Sequence, residues 1–153
     1  SENDGDNGSE TEEVPTVGSI YKGCYVLKSE TTGNSTVVTL MTGKEYRDGF
    51  TGLASDMTAF RSAVDNAIAV LSVEGITGWR LPSLDEIEMV KNNFSAINSA
   101  LTSNGLTNLI PNKRYLYLDN QDDIKSFSLA NGYSFDAEES SFLRAFAQKT
   151  FNN

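Results

Sequence analysis

No histidine occurs in the chain, and cysteine occurs once, at Cys24. The missing imidazole removes the usual general base, the usual pH switch and the commonest transition-metal ligand. It also rules out a Ser-His pair for nucleophilic catalysis. One cysteine allows neither an intrachain disulfide nor a cysteine-rich zinc site. Cys24 stands in the apolar, strand-like run YKGCYVL and reads as a small buried hydrophobe rather than a nucleophile. Basic residues are scarce too, 12 Lys and Arg against 21 Asp and Glu, and they form no stripe. Nucleic-acid binding through phosphate neutralisation is therefore not expected, nor is attraction to an anionic lipid surface. No apolar run approaches the ~20 residues of a membrane span, and no signal peptide is recognisable.

What is present suits one domain. The 153 residues are 39% hydrophobic and 10% aromatic, enough to bury a core. The acids are unevenly placed. Residues 1–13, SENDGDNGSETEE, hold six acids and no base, which leaves 15 acids against 12 bases over 14–153, a net charge of −3. That polar stretch has too little apolar surface to offset the entropy of ordering, and reads as a disordered acidic tether before a single domain at 14–153. The start at Ser1, without methionine, fits a processed or truncated product whose tail separates a surface domain from an anchor. A plain disordered terminus would have the same composition.

The pattern of the domain predicts strands at 19–28 and 35–42, joined by a hairpin through Gly33 and Asn34. Three glycines in GKEYRDGFTGLA mark a structured loop. A helix is predicted from about 56 to 73, capped by Ser55 or Asp56, with Phe60, Val64, Ala67, Ile68 and Leu71 on one face and Gly75 at its end. A second helix follows Ser83 with Leu84, Ile87 and Val90 as its apolar stripe, and Ser95 starts a short third one that Gly105 breaks. RYLYLD (114–119), IKSFSLA (124–130) and SSFLRAFAQ (140–148) read as strands, with Asn131-Gly132 as a hairpin signal. Helices between two groups of antiparallel strands argue for an α+β fold whose terminal strands pair.

The sharpest local pattern is GWRLPSLDEIE at 78–88. Pro82 holds Leu81 extended and cannot continue a preceding helix. Ser83 and Glu86 form a capping box, and Asp85 and Glu86 suit the positive helix end. Trp79 offers the largest apolar surface in the chain, and Arg80 has a carboxylate to find. Trp79, Arg80, Leu81, Pro82, Ser83 and Glu86 therefore read as a rigid elbow pinned to the core by Trp79.

With Gly75 ahead of it and Ile87 behind, this segment resembles the G-x-x-x-W-R-L-P-(Ser/Thr)-x-x-E-(Leu/Ile) signature of the Lcl C-terminal-like domain family. The helix carrying Ala63 and Ala67, the strand YLYL at 115–118 and FLRAF at 142–146 resemble other blocks of the family more loosely. The sequence departs from the family pattern in lacking a cysteine in the helix before the motif, and in having Tyr115 and Tyr117 where a tryptophan is usual. The resemblance implies a C-type-lectin-like α+β fold, with a two-helix layer and antiparallel strands that bring the termini together. It also implies a bacterial cell-surface setting: lipoproteins, adhesins and fimbria-associated proteins, some of them resembling glycosaminoglycan or host-surface binders. An extracytoplasmic, lipid-anchored protein with its anchoring cysteine before Ser1 fits that setting, and a monomer is expected.

Candidate chemistry follows from the residues. The fold group includes formylglycine-generating enzymes that use cysteine chemistry, which lone Cys24 does not supply. The acids Asp85, Glu86 and Glu88 are accounted for by the helix start, and no enzymatic role is expected. Asp119, Asp122 and Asp123 in DNQDD are oxygen donors of the kind calcium takes, although Ile124 stands where an EF-hand needs glycine, and a polar hairpin loop has the same composition. Asp136, Glu138 and Glu139 make a second acidic loop. For a glycan, Tyr115, Tyr117 and Tyr133 offer ring faces and Asp119 and Asn120 offer hydroxyl partners; alternating tyrosines also fit a strand with one face in the core. Arg47, Lys113 and Arg114 are too few for a sulfated-sugar patch. Two functions stay open: a surface domain for adhesion or binding of a glycan or surface protein, and an assembly subunit of an appendage such as fimbriae, marked by an open strand edge or apolar patch.

Overall fold

The strand formers of SIYKGCYVLK make two strands, not one, in the computed structural model: β1 (Ile20–Tyr21) and β2 (Cys24–Thr32). Lys22 and Gly23 between them lie at φ of 49° and 79°. This left-handed pair is the tight turn that suits the twist of a hairpin. β2 then runs on through residues expected to be loop, pairing with β3 (Ser35–Thr42) as far as Thr32 with Ser35. Ser29–Thr32 are exposed, so the backbone ladder outlasts the core, and a composition-based reading stops too early. The structure describes residues 12–46, 56–138 and 140–152. Ser55, Arg47, Glu139 and residues 1–11 of the expected tether lie outside them.

Asp56 caps α1 (Met57–Ala69) by accepting the Ala59 N–H at 3.0 Å. The helix stops short of the expected residue 73. Val73 instead pairs with Ile76 around a turn whose Glu74 and Gly75 are both at positive φ. The two further helices are α2 (Leu84–Asn92) and α3 (Phe94–Ser103). Then come β4 (Arg114–Leu118), β5 (Ile124–Ser128), the short β6 (Ser134–Asp136) and β7 (Phe146–Asn152). Asn131-Gly132 does turn the chain between β5 and β6, within the longer loop 129–133.

The described residues form a mixed α/β protein with three helices and two antiparallel sheets, β1-β2-β3-β7 and β4-β5-β6. The last strand pairs with β3, so the chain's final described segment completes a sheet begun by its first strands. In a flat sheet the outer strands β1 and β7 would lie roughly 14 Å apart. Tyr21 of β1 and Phe151 of β7 instead stack edge to face at 5.7 Å, so the sheet is strongly curled. Glu12 ties the seam: it accepts the Tyr21 hydroxyl and lies 4.0 Å from both Lys22 and Lys149.

The central part of the larger sheet, around Cys24–Leu27 and Val38–Met41, is buried on both faces. Cys24, Val26, Val38 and Leu40 face Phe60, Val64 and Ile68 of α1. Tyr25, Leu27 and Met41 face the other way, towards Ile87 and Val90 of α2, Ile97 and Leu101 of α3, and Tyr115 and Phe127 of the smaller sheet. Alternate residues entering two different cores explain why CYVL reads as a continuous apolar run. Cys24 is fully buried, and burial, followed by the charge of Glu74, pushes its thiol up to about 11. No described helix is long and apolar enough to cross a membrane.

The expected last strand at 140–148 is corrected most. Residues 141–146 form the crossing between sheets: Phe142 pairs with Tyr115 in the smaller one, and Phe146 begins β7 in the larger. The apolar pattern registers burial on both sides of this crossing, not the sheet to which each residue belongs.

Trp79 is buried in the first cluster at 7% exposure, and its indole N–H donates to the Ile76 carbonyl at 2.8 Å. Trp79→Ala removes both the packing and that bond. It should cost about 3–5 kcal/mol, read as a lower urea midpoint at unchanged slope; an unchanged midpoint would show that the ring does not anchor the elbow.

Candidate functional site

Residues 80–83 join the two sheets. Arg80 exchanges both backbone hydrogen bonds with Phe146 of β7, at 2.8 and 2.7 Å. Two residues later the Pro82 carbonyl accepts the Leu118 N–H of β4 at 2.9 Å. Proline serves here because only its carbonyl is needed and its ring holds the chain extended. Ser83 then caps α2: its hydroxyl accepts the Glu86 N–H at 3.2 Å and its own N–H donates to Glu86 Oε1 at 3.0 Å.

Glu86 serves two elements at once. Its carboxylate also accepts a bidentate pair from Arg80, Nη1 to Oε1 at 2.6 Å and Nη2 to Oε2 at 2.7 Å. Burial alone would raise the Glu86 pKa; hydrogen bonds from Arg80 and from Ser83, with the Arg80 charge, outweigh it and hold the carboxyl below its ordinary range. Arg80 Nε reaches Gln148 of β7 at 3.3 Å.

An open groove of about 440 Å³ lies against this elbow, lined by Arg80, Leu81, Ser83, Leu84 and Asp85 on one side and Leu118, Asp119 and Asn120 on the other. The motif residues and two of the candidate ligand residues thus meet in space. A wider cleft of about 660 Å³ lies on the far side of the acidic loop, between α1 and β5–β6, with Arg61, Asp123, Lys125 and Asp136 at its rim. Arg61 donates to the Asp122 carbonyl at 2.6 Å and to its carboxylate at 3.3 Å, which moors the loop to α1.

The tyrosines expected at a ligand site are placed otherwise. Tyr115 and Tyr117 are 1% and 3% exposed, so neither ring can form a sugar platform. The Tyr115 hydroxyl accepts the Ile110 N–H and donates to Glu45 at 2.5 Å, and burial followed by that bond raises its pKa. Tyr117 is 2.8 Å from the Ser134 hydroxyl. Both side chains lie in the core because β4 is enclosed between α2, the β5 neighbour and the Phe142 crossing. Tyr133 is exposed, on the loop between β5 and β6 and away from the groove lining. In the acidic loop, Asp119 Oδ1 accepts the N–H groups of Gln121 and Asp123, both at 2.9 Å. With Asp122 turned to Arg61, Asp119, Asp122 and Asp123 do not gather: no group of three or more His, Cys, Asp or Glu among the described residues could hold a metal ion.

Arg144 is the residue that sequence reasoning overlooked. It is 2% exposed and donates to the carbonyls of Thr42 at 3.0 Å and Thr107 at 2.6 Å and to Glu45 at 3.0 and 3.1 Å. An arginine inside the apolar run FLRAF was the available signal, since such a charge is buried only when fully partnered. No family model, curated protein or solved structure matches the chain.

Glu86→Gln leaves Arg80 without its charge partner. The loss should be on the order of 2 kcal/mol, below the ~3–5 of a fully enclosed pair, because the Arg80 side chain is 37% exposed and can rehydrate. Folding lowers the Glu86 pKa, so this contribution is complete above the ordinary glutamate value of about 4.3 and fades as pH falls through the lowered one. Urea melts at neutral and acid pH should show part of the wild-type acid sensitivity missing in the variant; equal sensitivity would contradict the coupling.

Proposed function

We propose that the chain is a non-enzymatic cell-surface binding domain that takes its ligand, a glycan or a surface protein, in the groove between the elbow and Asp119–Asn120. One observation carries this reading: Arg80, Leu81 and Ser83 of the WRLPS segment line the same open groove as Asp119 and Asn120, which were chosen separately for their chemistry. The resemblance of Trp79–Ile87 to Lcl C-terminal-like domains supports a C-type-lectin-like version of the observed α/β architecture, displayed outside the cytoplasm on a lipid anchor. A histidine-free chain whose lone thiol is buried supports a binding role over catalysis.

The test is binding of the soluble domain to a glycan array and to immobilised surface proteins, with and without calcium. A reproducible partner should be lost or weakened at least tenfold by Leu84→Ser or Asn120→Ala, both exposed and outside the core. A partner whose binding neither change affects would place the site elsewhere.

A second reading, an appendage subunit that assembles through protein contacts, is favoured by the outer edge of β7. Arg80 covers that edge at Phe146; beyond it the outward backbone groups of Gln148, Thr150 and Asn152 have no partner among the described residues. An open strand edge is a template for another chain. Under this reading light scattering should show concentration-dependent association that Thr150→Pro abolishes, since proline blocks the outward side without removing a bond to β3. A monomer at all concentrations would contradict it.

A further inference from the structure

The floor of the groove is aliphatic and its rim is acidic. Leu81, Leu84 and Leu118 make the floor, and Leu84 is one of the few large hydrophobic side chains left in solvent, at 37% exposure. Among the described residues the one cation in the lining, Arg80, is already neutralised by its bidentate bonds to Glu86. Asp85 has no cationic partner among the described residues, and Asp119 is held by two neutral backbone N–H groups. The positive end of α2 is already met by Asp85 and Glu86 in its first turn. The groove therefore carries net negative charge over an apolar floor. Among the described residues its lining has no aromatic ring on which a sugar could stack, and its charge opposes sulfate or phosphate.

An aliphatic stem ending in a cation fits both features at once: the stem covers the leucines while the charged end stays at the wet, acidic rim. We infer that this groove binds a lysine or arginine side chain on an exposed segment of a partner protein, an inference that rests on the groove being the ligand site proposed above. The net charge of −9 strengthens the approach of such a segment from a distance, in a salt-dependent way.

The experiment is a two-dimensional amide NMR titration of the whole chain with N-acetyl-leucyl-lysine amide, and with its glutamate and norleucine analogues. The expected result is saturable shifts at the amides of Leu84, Asp85 and Asn120. These should be at least tenfold weaker with norleucine and absent with glutamate. Asp85→Asn should weaken the lysine probe at least fivefold, while Asp136→Asn, in the neighbouring cleft, leaves it unchanged. Shifts scattered over all acidic surfaces, equal in both variants, or no shifts at all, would overturn the inference. Groove shifts with a neutral oligosaccharide but not with the lysine probe would also overturn it, while leaving the groove as the ligand site.

Discussion

The bidentate pair between Arg80 and Glu86 braces the short run at which three parts of the molecule meet. Arg80 lies beside the first residue of β7 in the larger sheet, and Glu86 belongs to the capping box of α2. Between them the Pro82 carbonyl holds the end of β4 in the smaller sheet. A short extended run thus fixes the distance and angle between two sheets and a helix. The groove is the space left outside this joint, and its shape depends on the joint holding.

A second polar network performs a related task. The crossing at 141–146 carries Arg144 into the interior, where it joins Thr42 at the end of β3, Glu45 beyond it and Thr107 after α3. Tyr115 shares the same Glu45 oxygen. Such a network stabilises only when each donor and acceptor is met, and it makes loops of high sequence separation fold in one arrangement. Together with the seam where Tyr21 meets Phe151, it accounts for a sheet curled around one core and backed by another.

Local signals were legible where the physics is local. Ser83, Glu86 and Pro82 announced a helix start and its elbow, and both capping-box bonds are present. Trp79 announced burial, and the apolar spacing of α1 marked the face that enters the core; of the expected α2 stripe, Ile87 and Val90 are buried but Leu84 is 37% exposed. Boundaries set by tertiary partners were not legible. Lys22, a residue with a side chain at positive φ, gives no warning that one strand is two. FLRAF has the composition of a strand but is a bridge between sheets. Tyr115 and Tyr117 suit either a core or a sugar platform by chemistry alone, and only the enclosure of β4 from several sides decides for the core. Asp119 and Asn120 lie at the groove because Leu118 is held by Pro82, a contact between residues 36 positions apart.

If the elbow couples the sheets, loosening it should be felt in both at once. Amide hydrogen exchange at Phe146 and Leu118 measures this directly, since one amide donates to Arg80 and the other to Pro82. In an Arg80→Met variant under native conditions, protection should fall together at Phe146 and Leu118, while the β2–β3 ladder around Val26 and Leu40 keeps its protection. Unchanged protection at both amides, or a loss spread evenly over the β2–β3 ladder as well, would contradict a joint centred on Arg80 and Glu86.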